Sequence, residues 1–223
     1  MQVVIVGTGK LASELLASHQ LDHPFQVVPW GRQAEGEPAI VVHAGSGREL
    51  EAVAAFCRAT ASPLIELSTG SALEREALEF PVLLCPNTNI LMLKFMAMLE
   101  TSGHLFRGYQ VELLESHQAS KSSVPGTAVV MAESLGLAPG AIRSVRDPQV
   151  QQGELGIAAA DLPRHAFHRI RIDDGVCQVQ LETRVQGDAP YAAGVSRIVE
   201  AVAGHALESR LYSVMELIRA GWL

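Results

Sequence analysis

The sequence predicts an α/β protein: a doubly wound parallel sheet at the N-terminus, followed by a C-terminal α+β unit built on a mixed sheet. Three observations carry this prediction. An apolar, β-branched run, Met1-Gln-Val-Val-Ile-Val6, opens directly into Gly7-Thr8-Gly9-Lys10-Leu11-Ala12 and a helical stretch from Ser13 to His19. Strand and helix patterns then alternate up to about residue 90, which is the signature of a parallel sheet covered on both faces. Beyond residue 90 the alternation stops, and strand patterns dominate.

The first element is a strand because it is short, apolar and rich in valine and isoleucine. In the Gly-x-Gly-x-x-Ala run that ends it, Gly7 permits a tight turn and Gly9 lets the backbone approach a pyrophosphate. Ala12 is small enough for close helix–strand packing. These are the features of a Rossmann-type dinucleotide site, with Gly7, Gly9, Lys10, Leu11 and Ala12 as cofactor-binding candidates. A second strand, Gln26 to Pro29, leads to Trp30-Gly31-Arg32. No acidic residue stands there to bind a ribose 2′-hydroxyl. Arg32 stands there instead, and Lys10 lies inside the phosphate loop. Two cations favour a 2′-phosphate, so NADPH is the expected cofactor, with NADH possible.

Further strands are expected at Ala39 to His43, Pro63 to Leu67 and Val82 to Cys85, with helices at Glu49 to Ala59 and Leu73 to Leu78. The strands end in the polar loops Ala44-Gly-Ser-Gly-Arg48, Ser68-Thr69-Gly70-Ser71 and Pro86-Asn87-Thr88-Asn89. In an open parallel sheet such loops lie at the ligand edge, and the three are expected to line one cleft. Ala44, Ser68, Thr69, Gly70, Pro86 and Asn87 join the cofactor-binding candidates. His43 and Arg48 stand beside the first of these loops.

A helix at Ile90 to Thr101 bridges to the second unit. There, strands are expected at Tyr109 to Glu115, Ile142 to Arg146, His165 to Ile172 and Val176 to Arg184, the last two joined at Asp173-Asp174-Gly175. A helix is expected from Gly126 to Leu135, a returning helix from Ala192 to Glu208, and a C-terminal segment, Leu211 to Leu223, packing back on the first domain. The domains are therefore drawn as 1–90 with 192–223 for the dinucleotide, and 91–191 for substrate and assembly.

The chain has 223 residues, 48% of them hydrophobic and 18% charged, in the range of a folded globular protein. A formal charge of −7 and the lack of a basic run argue against nucleic acid as a partner. The cysteines Cys57, Cys85 and Cys177 fit neither a zinc pattern nor a disulfide framework, which favours a reducing compartment. The most apolar window, Phe80 to Leu99, is interrupted by Pro86, Asn87, Asn89 and Lys94 and is too polar for a membrane span. A cytoplasmic location is the expectation. His19, His23, His104 and His205 read as surface or helix-end residues, Met92, Met96 and Met98 as core filling, and Trp222 as a packing anchor.

The densest chemistry lies in Glu115-Ser-His117-Gln118-Ala-Ser-Lys121-Ser-Ser-Val-Pro125-Gly126-Thr127-Ala128. A strand delivers an imidazole, an ammonium and a helix N-terminus rich in free N–H groups to one loop. That combination suits an anionic substrate that must be protonated. His117 is the candidate proton donor. Lys121, with the N–H groups of Gly126 and Thr127 and the Thr127 hydroxyl, is the candidate carboxylate site.

Together these features resemble the dihydrodipicolinate reductase family, whose signature is Glu-x-His-His-x-x-Lys-x-Asp-x-Pro-Ser-Gly-Thr-Ala. Glu115, His117, Lys121, Pro125, Gly126, Thr127 and Ala128 match it. Ser68-Thr69-Gly70 falls at the family's Gly-Thr-Thr-Gly, and Pro86-Asn87 at its Asn-containing loop. His168 and Arg184 match a family His and Arg, and Tyr191-Ala-Ala-Gly194-Val-Ser-Arg197 resembles its Phe-Ala-x-Gly-Ala-x-Arg run. The resemblance implies a Rossmann domain plus a sheet domain that builds a homotetramer. It also implies NAD(P)H-dependent reduction of a cyclic imine dicarboxylate in lysine (diaminopimelate) biosynthesis, with His117 and Lys121 catalytic. Gln118, counted with Lys121, Gly126 and Thr127 among the substrate-binding candidates, departs from the family's second His but keeps hydrogen-bonding capacity. The loop before Gly126 is one residue short, without the family's Ser. Three readings stay open: the family reaction, an NADPH-dependent imine reductase or amine dehydrogenase for another carboxylate substrate, and a non-catalytic NADPH-binding protein.

Overall fold

A computed structural model describes residues 1–22, 24–75, 78–187 and 191–223. The chain forms two compact units, Met1–Leu93 with Tyr191–Leu223, and Lys94–Pro190. The first unit begins with β1 (Gln2–Val6), α1 (Lys10–Ala17), β2 (Gln26–Pro29) and β3 (Ala39–His43). It continues with α2 (Leu50–Thr60), β4 (Leu64–Glu66) and β5 (Val82–Leu84), and α3 (Ile90–Ser102) carries the chain out. The second unit comprises β6 (Gln110–His117), α4 (Gly126–Ser134), β7 (Arg143–Val145), α5 (Pro148–Gly153), β8 (Ala166–Asp173) and β9 (Gln178–Val185). The chain then returns as α6 (Ala192–Gly204), β10 (Leu211–Ser213) and α7 (Val214–Arg219).

The sheet of the first unit runs β10-β5-β4-β3-β1-β2, with every pair parallel. Its central strands are apolar throughout because both faces are covered. Alternate residues of β1 feed two cores. Val3 and Ile5 face α1 and α6, meeting Leu15, Val195, Ile198 and Val199. Val4 and Val6 face α2, meeting Val53, Cys57, Leu73 and Phe80. Each such side chain, once fully buried, contributes about 1.5–3 kcal/mol. β1 has β2 on one side and β3 on the other, so the crossovers diverge there and open a crevice at the carboxyl ends of the strands. Gly7 makes this junction possible. Its φ is +126°, and a Cβ would lie 2.6 Å from the Ala44 carbonyl oxygen at the end of β3.

The sheet of the second unit runs β7-β6-β8-β9, with β6 parallel to β7 and antiparallel to β8. One face packs Leu114, Val145, Leu155, Ile157 and Phe167. The β8–β9 hairpin turns at Asp173–Cys177, where Asp174 Oδ1 accepts from the amides of Val176 and Cys177 and Gly175 takes φ +87°.

Several expectations need correction. The segment expected as a helix from Leu73 to Leu78 is a single 3₁₀ turn, Ala72–Arg75, with Glu76 and Ala77 outside the described residues. So short a run cannot recover the cost of helix nucleation. The returning helix ends at Gly204 rather than Glu208, at a residue with poor helix propensity. The first helix begins three residues earlier than expected, at Lys10. Helix α5 was not foreseen, although Asp147 caps it through the Gln149 amide and Pro148 occupies its first turn. Met92 and Met96 are buried, but Met98 is 47% exposed on α3 and fills no core. His23 lies outside the described residues. Among the described residues no helix is long and apolar enough to cross a membrane.

Candidate functional site

In the first unit, α1 starts at Lys10, and Gly9 is its extended N-cap. Nothing lies within 4 Å of where a Gly9 Cβ would sit, so the backbone there is open to a ligand. The first amides of α1 have no helical acceptors and point out of this end. Ala12 is buried and Leu11 packs partly against the core, which fixes the helix against the sheet. Arg32 and Lys10 are both exposed. Arg32 follows Gly31, whose φ is +89°, and its amide closes the turn onto the Pro29 carbonyl.

The loops after β3 and β4 line a cleft of roughly 410 Å³ that includes His43, Gly45, Arg48, Ser68, Thr69 and Gly70. Ser68 Oγ donates to the Gly45 carbonyl and joins the two loops. The cleft floor is a buried pair: His43 Nδ1 lies 2.8 and 2.9 Å from the two Glu66 carboxylate oxygens. Glu66 also accepts from the Ser68 amide and the Ser71 hydroxyl. Burial would raise its pKa, but these hydrogen bonds and the nearby imidazole outweigh burial and hold it below the usual carboxylate range. Pro86 and Asn87 do not line this cleft, contrary to the single-cleft expectation. Asn87 Oδ1 instead accepts from the Asn89 amide, and Asn89 Oδ1 caps the start of α3 at Met92. The loop is wedged from behind by α6, where Gly194 lies directly under the Thr88 carbonyl.

In the second unit the pleat puts Glu115, His117 and His168 on one face of the sheet. His117 ends β6 and is 14% exposed, with Nδ1 2.8 Å from Glu115 Oε2. Glu115 is fully buried and is also gripped by Arg146, whose Nη1 and Nη2 donate to its two oxygens at 3.1 and 2.7 Å. Burial alone would raise the Glu115 pKa. Hydrogen bonds from His117, Arg146 and Ser144, with the charge of Arg146, lower it instead to about 2. Glu115 is therefore an anion and accepts a hydrogen bond from the Nδ1–H of His117. His168 packs edge-on against His117, ring centroids 5.8 Å apart. Desolvation, and secondarily the proximity of His117, pull its pKa down to about 4, so it is a neutral neighbour at pH 7. Its Nδ1 meets Thr183 Oγ1, while its Nε2 is buried without a partner among the described residues.

After His117 the chain turns, with the Lys121 amide donating to the Gln118 carbonyl at 2.9 Å. Gln118 and Lys121 are half-buried, and Ser122, Ser123 and Val124 are exposed. Pro125 then caps α4, so the Gly126 and Thr127 amides open the helix without helical acceptors. All five substrate-site candidates thus share the β6–α4 connection. His168 and Arg184 do not come together. Arg184 is paired with Phe167 across the β8–β9 ladder, on the other face, and stacks over that ring at 4.9 Å.

Sequence reasoning gave no role to Arg146 or Glu66. Arg146 sat at the end of an unremarkable strand, and Glu66 read as one polar residue in a buried run. It also missed the buried set behind His117, in which Ser116 Oγ meets His165 Nε2 and Gln151 Nε2, both at 3.0 Å. Gln151 reaches the His117 carbonyl at 2.8 Å as well and so fixes the backbone that carries the imidazole. Among the described residues, no group of three His, Cys, Asp or Glu side chains could hold a metal ion.

The fold and site define a two-unit protein with a Rossmann-type first unit and a polar, histidine-bearing loop on its second sheet. Its kinship is more particular. The chain is 31% identical over 126 residues to 4-hydroxy-tetrahydrodipicolinate reductase 2, chloroplastic, of Arabidopsis thaliana, covering 52% of this chain and 36% of that protein. It is 29% identical over 154 residues to the probable 4-hydroxy-tetrahydrodipicolinate reductase 2, chloroplastic, of Oryza sativa subsp. japonica, covering 62% of this chain and 47% of that protein. The matches thus span less than half the length of these curated relatives. No protein-family model matches the chain. Among solved structures, the dipicolinate-bound dihydrodipicolinate reductase from Paenisporosarcina sp. TG-14 superposes with a TM-score of 0.64, at 16% identity, over 97% of this chain and 98% of that one. The protein therefore has the fold of that reductase and resembles the plant reductases in sequence.

Proposed function

We propose that the protein is an NAD(P)H-dependent reductase of a cyclic imine dicarboxylate of the 4-hydroxy-tetrahydrodipicolinate type. The observation that carries this is the placement of His117, held by the buried Glu115 anion at the head of the loop that leads through Lys121 to the N-terminus of α4. Because Glu115 accepts from Nδ1, the proton available for transfer from the imidazolium lies on Nε2. Lys121 neutralises one substrate carboxylate, and the Gly126 and Thr127 amides, with the Thr127 hydroxyl, hold it at the positive end of α4. The neutral His168 beside the donor does not oppose its charging.

The first unit fits a nicotinamide dinucleotide, with the open backbone at Gly9 for the pyrophosphate and the β3 and β4 loops around it. Bound there, the nicotinamide would supply the hydride. Lys10 and Arg32 favour NADPH. The test is loss of absorbance at the nicotinamide wavelength with 4-hydroxy-tetrahydrodipicolinate, beside a panel of cyclic imines. Turnover of none of them would overturn the reductase reading in favour of a non-catalytic nucleotide-binding protein.

A related substrate is the second reading, favoured by Gln118 and by the exposed stretch entering Pro125 with no serine before Gly126. Gln118 can hydrogen-bond but cannot carry charge, and each lost charge-assisted donor costs about 1.5–3 kcal/mol of binding. Gln118→His with a Ser inserted between Pro125 and Gly126 is expected to improve use of the lysine-pathway imine. No improvement, in a wild type already efficient on that imine, would remove this second reading.

A further inference from the structure

Arg146 follows β7 and is 21% exposed, yet its planar group makes contacts on three sides. Two of its nitrogens donate to the Glu115 carboxylate, as described above. Its Nε donates to the Lys121 carbonyl at 2.8 Å, and Nη2 reaches the Ser123 carbonyl at 3.5 Å. A further bond to the Val145 carbonyl at 2.9 Å fixes the head against its own strand. One guanidinium therefore ties the carboxylate that holds His117 to the loop that carries Lys121.

We infer that Arg146 is a positioning residue that couples the two halves of the candidate site, setting the charging of His117 and the placement of the Lys121 loop together. The significance given to those two groups rests on the reductase reading; the coupling itself does not require turnover. The electrostatic half follows from competition for one negative charge. Glu115 faces His117 from the same strand, Arg146 and Ser144 face Glu115 from β7, and His168 and His165 face His117 from β8 and the segment before it. Lys121 lies on the loop beyond. His168 is neutral near pH 7, so Arg146 is the fixed cation at Glu115. Removing it gives His117 the whole of the Glu115 charge and takes away a neighbouring positive charge. Both changes favour the imidazolium.

The mechanical half follows from the loop's sparse anchoring. Ser122, Ser123 and Val124 are exposed, and the described anchors of the turn are the Lys121–Gln118 backbone bond and Arg146. A lysine at position 146 would keep a charge near Glu115. It could not span a carboxylate and two carbonyls, because an ammonium donates from a single point whereas a guanidinium presents a rigid fork.

The test uses the full chain and two readouts that need no substrate: the His117 ring titration by NMR, and amide hydrogen exchange over residues 118–125. Arg146→Gln is expected to move the His117 midpoint up by about 1 pH unit or more. It should also speed exchange in the loop by roughly tenfold or more. Arg146→Lys should leave the midpoint near the wild-type value while the loop stays fast. Arg143→Gln, which breaks an exposed pair between β7 and Glu154 at the end of α5, should change neither. A midpoint that stays or falls in Arg146→Gln would overturn the proposal, and so would a loop equally protected in the lysine variant. Equal effects from Arg143→Gln would reduce it to general loosening of β7 and overturn it too. If Arg146→Gln does not fold, loop exchange in Arg146→Lys decides. Failure of the reductase reading would appear separately, as absence of imine turnover with these two readouts intact.

Discussion

His43 and Glu66 sit opposite one another on β3 and β4, both buried, with Nδ1 within 2.9 Å of both carboxylate oxygens. The pair stands under the two loops of the cleft at the ends of β3 and β4, and Glu66 extends its hold to the Ser68 amide and the Ser71 hydroxyl. Removing either partner alone leaves a desolvated polar group with too few partners. Removing both leaves an apolar patch on a strand pair whose other residues are already apolar. Glu66→Leu is expected to destabilise the protein by about 3–5 kcal/mol in urea unfolding. The double variant His43→Leu with Glu66→Leu should cost clearly less than the sum of the two single changes. Additive single and double values would mean that the pair is not coupled.

Acid should weaken the protein in two stages. His168 is depressed to about 4 by burial, and burial also lowers His165. Between pH 6.5 and 4 the unfolded chain binds protons at these positions that the folded chain refuses. Their contribution is therefore complete above the unfolded histidine value and is lost as pH falls through this window, to the extent of about 3 kcal/mol for His168. Glu115 and Glu66 are depressed as well, Glu115 to about 2, so their contribution is complete above the unfolded carboxylate value and is lost as pH falls from about 4.5 toward 2. Urea midpoints measured from pH 8 to pH 4 should fall below pH 6.5, and His168→Gln should flatten that fall. A wild-type curve flat between pH 7 and 5 would contradict this reading.

The parallel sheet was legible in the sequence because buried strands and glycine loops leave strong local marks. The Met1–Val6 run and Gly7-x-Gly9 marked the first βα unit, and Asp173-Asp174-Gly175 marked the hairpin. Strand order was not legible. Nothing local in Leu211-Tyr-Ser213 says that it becomes the sixth parallel strand beside β5, because that position is set by the core α6 brings back. At the candidate site, His117 and Lys121 could be read from their neighbours in sequence. Arg146 is 31 residues from Glu115 and reaches it only because β7 pairs with β6. Likewise, the period of two that makes His168 face Glu115 turns Arg184 to the opposite side, which the resemblance of both residues to a family His and Arg does not reveal.

Gly194 offers a test of how α6 supports the loop after β5. A methyl group there would overlap the Thr88 carbonyl, which is backbone and has no rotamer by which to withdraw. Gly194→Ala should therefore push the Pro86–Asn89 loop away from α6, at a cost of about 1–3 kcal/mol or more. A lower Tm is the expected result. The neighbouring Ala193→Ser, at an exposed position, should leave it unchanged. An unchanged Tm in Gly194→Ala would show that the helix can slide without penalty.

Cofactor preference should follow the exposed cations beside β1 and β2. Arg32 stands just past the β2 turn, and Lys10 opens α1. Calorimetry should find NADPH bound more tightly than NADH. Arg32→Asp should erase or reverse the difference, a change of about 1–3 kcal/mol if the guanidinium makes a charge-assisted bond to the 2′-phosphate. Equal affinities in the wild type would sink the assignment.

The roles of His117 and Lys121 separate kinetically. A proton donor acts on the reaction barrier, so His117→Gln should lower kcat by roughly 100-fold or more while KM changes little. Glutamine retains hydrogen-bonding capacity toward Glu115, so the buried carboxylate is not left without a partner and folding should survive. An anion anchor acts first on binding, so Lys121→Ala should mainly raise KM, with a smaller loss in kcat if the anchor also orients the ring. The half-buried position of Lys121 on the turn after β6, with its amide already committed to the Gln118 carbonyl, makes a side-chain truncation there tolerable to the backbone. If both variants kept near wild-type turnover, the proton donor would have to be sought elsewhere on the same sheet face, where His168 carries a buried Nε2 with no partner among the described residues.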